Sequence, residues 1–263
     1  MGPDGFGKNV ERLKDKNYIE RLRRLNFFRM VHGFGPLYLV NNLLGRRTLV
    51  GTDNPERMRQ ISNEGHEIGI HGWDHFWWAE NVWTANTETL LDDTLYAFEA
   101  FMHSIEIPPI ATAAPNWRTS IDYLKQIDLL GFNYIADVRG SFPFLPAHGD
   151  WEGKTIHIPF NLPCLHEIAN SLSTNSEEEI AKEWFSNLHP DYNVWCIHDY
   201  YEGILRKSLF KRIVNQLLRE GFKIVPLGSL IREVNHSKLP RCGVEKGSVA
   251  GGRGFISKTG PRN

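Results

Sequence analysis

The stretch His66-Glu67-Ile68-Gly69-Ile70-His71-Gly72-Trp73-Asp74-His75-Phe76-Trp77-Trp78 decides how this chain is read. Residues 67–72 are apolar at alternate positions and closed by glycine, the pattern of a short strand that runs into a loop. Upstream, Asn54-Pro55-Glu56 predicts an N-cap with proline in the first helical turn, and that helix should run to about Asn63 and stop at Gly65. Further helices are predicted over 9–26, 86–105, 120–130, 176–188, 209–220 and 227–234. Extended runs are predicted over 110–114, 133–138, 155–160, 193–197 and 223–225. Strand and helix thus alternate roughly five times, which implies parallel strands joined by crossover helices, as a barrel or an open sheet. His71, Asp137 and His198 each fall just past a strand, and parallel barrels carry their active sites at the C-terminal strand ends.

Bulk properties set the limits. At 263 residues, 41% of them hydrophobic and 23% charged, the chain can bury a substantial core and is not wholesale disordered. Cys164, Cys196 and Cys242 are odd in number and widely spaced, which argues against a disulfide framework and favours a reducing compartment. The net charge of −1 hides an asymmetry: residues 1–50 sum to +6, residues 238–263 to +5 and the middle to −12. Basic ends on an acidic body suit an anionic partner such as a lipid headgroup or phosphate, although solvated basic segments explain the same pattern. No signal peptide opens the chain, and the apolar run from Met30 to Gly45 falls short of the ~20 residues that span a bilayer. Rich in aromatics and flanked by arginines, that run suits a membrane interface, or else two ordinary core helices. Three regions are expected: 1–50 as a basic, apolar-rich segment for membrane or lipid contact, 51–237 as a catalytic barrel, and 238–263 as a loosely ordered basic, glycine-rich tail.

Several residues could carry chemistry. His71 and His75 lie four apart, a spacing that on a helix lets both imidazoles face one zinc-like ion. His66-Glu67 followed by His71 fails the HExxH spacing. His198, with Asp199 and Glu202 behind it, could serve as a general acid or be an ordinary hydrogen-bonded rim histidine. Asp137 with Arg139, and Arg118 after Trp117, could orient and ionise one another or form plain salt bridges. Trp73, Trp77, Trp78 and Trp83 could stack on sugar rings, with core packing expected for at least two of them. Neither a nucleotide-binding glycine motif nor a GxSxG elbow is present.

Taken together, these residues resemble the polysaccharide-deacetylase family (NodB homology, carbohydrate esterase family 4). Four motifs carry the likeness: His71-Gly72-Trp73-Asp74-His75, Ala113-Ala114-Pro115-Asn116-Trp117-Arg118, Asp137-Val138-Arg139-Gly140, and Ile197-His198 with Glu202-Gly203. Within the family the chain resembles the bacterial deformylases that act on a formylated aminoarabinose carried by undecaprenyl phosphate, from Gly2-Pro3-Asp4 through the tail. The resemblance implies a distorted (β/α) barrel holding one divalent metal ion (Zn, Mn, Co or Ni), with His71 and His75 as ligands and His198 as the acid that protonates the leaving amine. Arg118 and Asp137 would support the catalytic groups, and Trp73, Trp117, Arg139 and Glu202 would meet substrate. It further implies a lipid-linked amino sugar as substrate, a cytoplasmic enzyme peripheral to the inner membrane, and no nucleic-acid partner. Family members open on a strand ending in paired aspartates, one the general base and one a metal ligand. None is found before Met1, so the barrel is expected to lack its first strand and to hold metal and turn over less well. An N-deacetylase of a soluble glycan and an inactive truncated homologue are the alternative readings.

Overall fold

A computed structural model describes Leu49, residues 51–252 and residues 254–262. The expected helix at 9–26 and the apolar N-terminal segment lie outside the described residues. The first described helix is α1, Pro55–Asn63, which begins with proline in its first turn and ends before Gly65 at φ 87°. α2 (His75–Asn81) stands where sequence predicts only loop, and α3 (Thr87–Ile105) is capped by Asn86, whose Oδ1 accepts the Thr89 N–H at 2.8 Å. After β1 (Ala111–Thr112) come α4 (Ile121–Ile127), β2 (Tyr134–Ile135), β3 (Leu145–His148), β4 (Trp151–Glu152) and β5 (Ile156–His157). The second half holds α5 (Leu165–Ser171), α6 (Glu177–Ser186), α7 (Lys207–Arg219), α8 (Leu227–Glu233), β6 (Arg241–Gly247) and β7 (Ile256–Arg262).

β1, β2 and β5 form a parallel sheet in that order. Parallel bridges from Ile70 to Thr112 and from Leu162 to Trp195 extend it, so five extended segments lie side by side in chain order. Four of the sequence-predicted strands therefore stand where expected, around the stave at Ile70. Residues 223–225 do not: Ile224 and Val225 are exposed, and no strand pairing holds them among the described residues. No closed ring of hydrogen bonds is traced among the described residues; the architecture is α/β with helices packed on a parallel sheet.

Apolar side chains explain the layering. Tyr134, Ala136, Ile156, Ile158, Phe160 and Val194 fill the space between the staves. α3 and α4 bury Leu90, Tyr123, Leu124 and Ile127 against Trp78, while Trp184, Ile180, Leu209 and Ile213 join α6 and α7. Trp78 is 1% exposed, so the core reading holds for it.

The tail departs furthest from expectation. β6 and β7 pair antiparallel, and β6 pairs parallel with β3, giving a second sheet in the order β4-β3-β6-β7. The glycines predicted to loosen the tail instead allow close packing. Gly251, at φ 67°, lies so near the Glu167 carbonyl that a Cβ would strike it. The hairpin also reaches the chain after β2: the Arg139 N–H donates to the Ser257 carbonyl at 3.0 Å, and the Thr259 N–H to the Arg139 carbonyl at 2.9 Å.

One core group makes stability depend on pH. His157 is fully buried on β5, and neither ring nitrogen has a hydrogen-bond partner among the described residues. Burial pushes its pKa down to about 3, with Asp128 opposing. An unfolded chain takes up the proton below ~6.5 while the native one resists until about 3, so acid favours unfolding across that window. The contribution is complete above the unfolded pKa and declines by about 1.4 kcal/mol per pH unit below it. Denaturant unfolding of His157→Leu should therefore lose less stability than the wild type between about pH 6 and pH 4. Parallel pH curves for the two proteins would show that the imidazole is hydrated.

Candidate active site

His71 and His75 meet through a turn, not along a helix. The stave at Ile70 ends at His71, Gly72 turns the chain at φ 66°, and Asp74 caps α2 by accepting the Trp77 N–H at 2.8 Å. His75 is the first residue of that helix, and the two imidazole centroids are 5.1 Å apart. Asp93 of α3, which the sequence reading passed over, fixes the turn: its carboxylate accepts the N–H groups of Trp73 and Asp74 at 2.7 and 2.9 Å. Burial raises the pKa of Asp93, and those two N–H groups oppose the rise. An acid on a helix gives no hint in sequence of the loop it will hold.

The His71 Nδ1 lies 2.7 Å from the Ala113 carbonyl. A carbonyl only accepts, so Nδ1 carries the proton and the Nε2 lone pair is left for a ligand bond. Burial of the ring lowers the His71 pKa although one edge of the residue is open to solvent. Burial, then the neighbouring His71 and His198, lowers the pKa of His75 to about 3. Both imidazoles are neutral at pH 7, the form that binds metal. Two neutral, oriented ring nitrogens fit the divalent ion implied by the resemblance, as part of a ligand set.

His198 lies near enough to both rings that a proton on it would disfavour protonation of His71 and His75. Its backbone N–H donates to Glu202 Oε2 at 2.7 Å, and its Nδ1 lies 3.8 Å from the same oxygen. Glu202 is 1% exposed. That corrects the expected substrate contact: the carboxylate lies behind His198 and positions it. Burial lowers the His198 pKa, with Glu167 and Asp199 opposing. Trp117 stands edge-on to His198 at 6.4 Å between centroids. Asn116 and Trp117 both have positive φ, 55° and 49°, and this strained backbone turns the indole toward the histidine.

Asp137 is buried beneath this loop. Its Oδ1 accepts the Ala114 N–H at 2.6 Å. Burial pushes its pKa up to about 7 against the Ala114 N–H and the Thr119 side chain. Ala114 follows the residue that holds His71, so Asp137 braces the loop on which His71 depends.

Arg118 points elsewhere. Its guanidinium donates to the Ala79 carbonyl and, at 2.9 Å, to the Phe255 carbonyl, and lies 5.2 Å from the Trp83 centroid. Trp78 and Trp83 donate through Nε1 to the carbonyls of Arg118 and Thr119 at 2.7 and 3.1 Å. These contacts tie α2 to the tail hairpin. Arg139, expected to meet substrate, is 6% exposed; it pairs with Glu167 at 3.2 Å and donates to the Leu162 carbonyl at 3.0 Å. Its guanidinium carbon sits 5.0 Å from the Trp117 centroid, which makes it a support for that ring. Trp73 packs beside Tyr96 of α3 at 6.2 Å, among the side chains around Ile70.

Residues 38–135 match the family model described as polysaccharide deacetylase, a span that contains His71, His75 and Arg118. That span resembles a polysaccharide-deacetylase (NodB/CE4) domain, and with the deformylase relatives it indicates a hydrolase acting on amide bonds. It is 27% identical over 250 residues to the 4-deoxy-4-formamido-L-arabinose-phosphoundecaprenol deformylase ArnD of Wigglesworthia glossinidia brevipalpis, across 91% of this chain and 86% of that one. A second ArnD deformylase, from Shewanella sediminis (strain HAW-EB3), is 27% identical over 235 residues, across 88% and 73%. A crystal structure of a Mycobacterium smegmatis protein described as a polysaccharide deacetylase superposes with a TM-score of 0.60 at 18% identity, covering 76% of this chain and 73% of that one. Its likeness concerns the fold.

Proposed function

We propose that the protein removes the N-formyl group, or a comparable small acyl group, from an amino sugar carried on undecaprenyl phosphate, in modification of lipid A and the cell envelope. The observation that carries the reading is the pair of neutral imidazoles with centroids 5.1 Å apart, His71 pinned through Nδ1 by Ala113 so that its Nε2 lone pair is left for a ligand. The ArnD relatives supply the substrate class. A divalent ion held by His71 and His75 would polarise the amide carbonyl and activate water. His198, steadied by Glu202, gives a proton to the amine as the C–N bond breaks. Trp117 offers an apolar wall beside it for the sugar ring. No helix among the described residues is long and apolar enough to cross a membrane. Contact with the inner-membrane surface is assigned to residues 1–50, of which only Leu49 is among the described residues.

The test is product release from two substrates, with a divalent ion supplied at one equivalent. Formate should appear from the lipid-linked formamido sugar, and little acetate from N-acetylated chitin oligomers. Acetate from the soluble oligomers alone would favour the glycan deacetylase, and neither product the inactive homologue. His198→Ala should lower turnover by ~10²–10⁴-fold while the ion at His71 and His75 stays bound. Loss of that ion in the variant would remove His198 from the acid role.

A further inference from the structure

Beside the site described, Cys164, His166 and His198 each place one ligand-type atom within 4.8 Å of the others. The grouping follows from the fold. Leu162 bridges to Trp195, so the chain leaving each of those segments emerges side by side, one toward Cys164 and His166 and the other toward His198. Cys164 is the N-cap of α5, its N–H held by Glu167 Oε2 at 2.8 Å, and His166 lies in the first turn of that helix. The imidazoles of His166 and His198 are 5.2 Å apart, and Tyr201 backs His166 at 5.7 Å. Ligand atoms of a tetrahedral zinc site, with bonds of about 2.0–2.3 Å, lie roughly 3.3–3.9 Å from one another. A separation of up to 4.8 Å therefore needs only a small rotation of side chains. One sulfur and two nitrogens on backbone that is already fixed suit a borderline-to-soft ion. Burial is graded as an accessible site requires: Cys164 is buried, His166 half-buried and His198 exposed.

We propose that Cys164, His166 and His198 form a second metal site, selective for zinc-like ions, and that its occupation inhibits the hydrolase by taking the proton-donating ring of His198. On binding, the Cys164 thiol gives up its proton to solvent and a sulfur–metal bond replaces the S–H bond. Its present hydrogen bond to the Cys196 carbonyl, at 3.3 Å, is given up at the same time. The binding half of the proposal stands on this cluster alone; the inhibitory half rests on the acid role given to His198 above. The three cysteines form no CxxC, and Cys-x-His at 164–166 is the local sequence signal for this cluster.

Cobalt(II) reports the two sites differently, because only a thiolate ligand gives an intense near-ultraviolet charge-transfer band. With the chelator-stripped full-length protein, the band should be absent during the first equivalent and grow with the second. In the His71→Ala/His75→Ala double variant it should appear from the first equivalent, so failure of the primary site does not mask the second. Cys164→Ser should abolish the band. His166→Ala should weaken cobalt binding beyond the ~10–100-fold that loss of an outer-shell partner produces. Zinc beyond one equivalent should inhibit the wild type and leave His166→Ala active. A wild type with no band at excess cobalt, a band that survives Cys164→Ser, or unchanged affinity in His166→Ala each overturns the proposal. Circular dichroism of both variants distinguishes loss of a ligand from loss of the fold. If Cys164→Ser fails to fold, His166→Ala decides the matter by itself.

Discussion

His71→Ala and His75→Ala are each expected to abolish binding of a divalent ion at this histidine pair, and turnover should fall by about 10²–10⁴-fold. The reasoning starts from how little freedom these rings have. His71 is held through Nδ1 by the Ala113 carbonyl, and His75 is fixed at the start of α2 by the Asp74 cap. Asp93 locks the turn between them through two backbone N–H groups. The ligand nitrogens are thus oriented before any ion arrives, and an ion binds without the entropy of assembling them. Asp93→Asn offers the graded companion. An amide oxygen still accepts one N–H but leaves the other unmatched, so metal affinity should fall ~10–100-fold without disappearing. Elemental analysis of the purified proteins together with the cobalt spectrum checks all three. Stoichiometric cobalt bound without a thiolate charge-transfer band in both histidine variants would remove these residues from the ligand set.

What could be read before the structure was known, and what could not, follows from the range of the forces involved. α1 and α3 were legible because their signals are local: proline after Asn54, Asn86 as a cap, a glycine beyond the end of α1. The five staves were legible because burial on both faces leaves short apolar runs. α2 is not legible in sequence, because Trp77 and Trp78 suit sugar stacking and core packing alike, while in the fold Trp78 is the core of a seven-residue helix. The tail was misread for a related reason. Its glycines gave a composition of looseness, and only the partners β3, Arg139 and Glu167, more than 80 residues away in sequence, show why small residues are needed there. In the site, residue types were legible and partners were not. Glu202 and Arg139 look like substrate-binding residues in sequence, and both are buried supports in the fold. Glu167, which holds Arg139, had no signal beyond its place three residues after Cys164, where a serine or threonine would have announced a capping box.

That buried pair carries the other large effect. Glu167→Ala is expected to cost ~3–5 kcal/mol of stability, because it strands the Arg139 guanidinium in the interior. The side chains are 7% and 2% exposed, so water cannot take the place of the lost carboxylate. The same oxygen, Oε2, also accepts the Cys164 N–H at 2.8 Å, so removing it also leaves the start of α5 uncapped. Glu167→Gln separates the two contributions. Its amide oxygen can keep the cap while the charge is gone, so it should be less destabilised than the alanine variant yet clearly weaker than wild type. Urea unfolding at neutral pH measures both, and a loss below about 1 kcal/mol for Glu167→Ala would mean that the pair is as weak as a solvated one. The damage should not stop at stability. Arg139 supports Trp117 from 5.0 Å, and Trp117 faces His198 at 6.4 Å. Turnover of the folded fraction should therefore drop in both variants while the ion at His71 and His75, held by Ala113, Asp74 and Asp93, remains in place. The acid side of the site would thus fail separately from the metal side, because the fold holds each through its own set of buried hydrogen bonds.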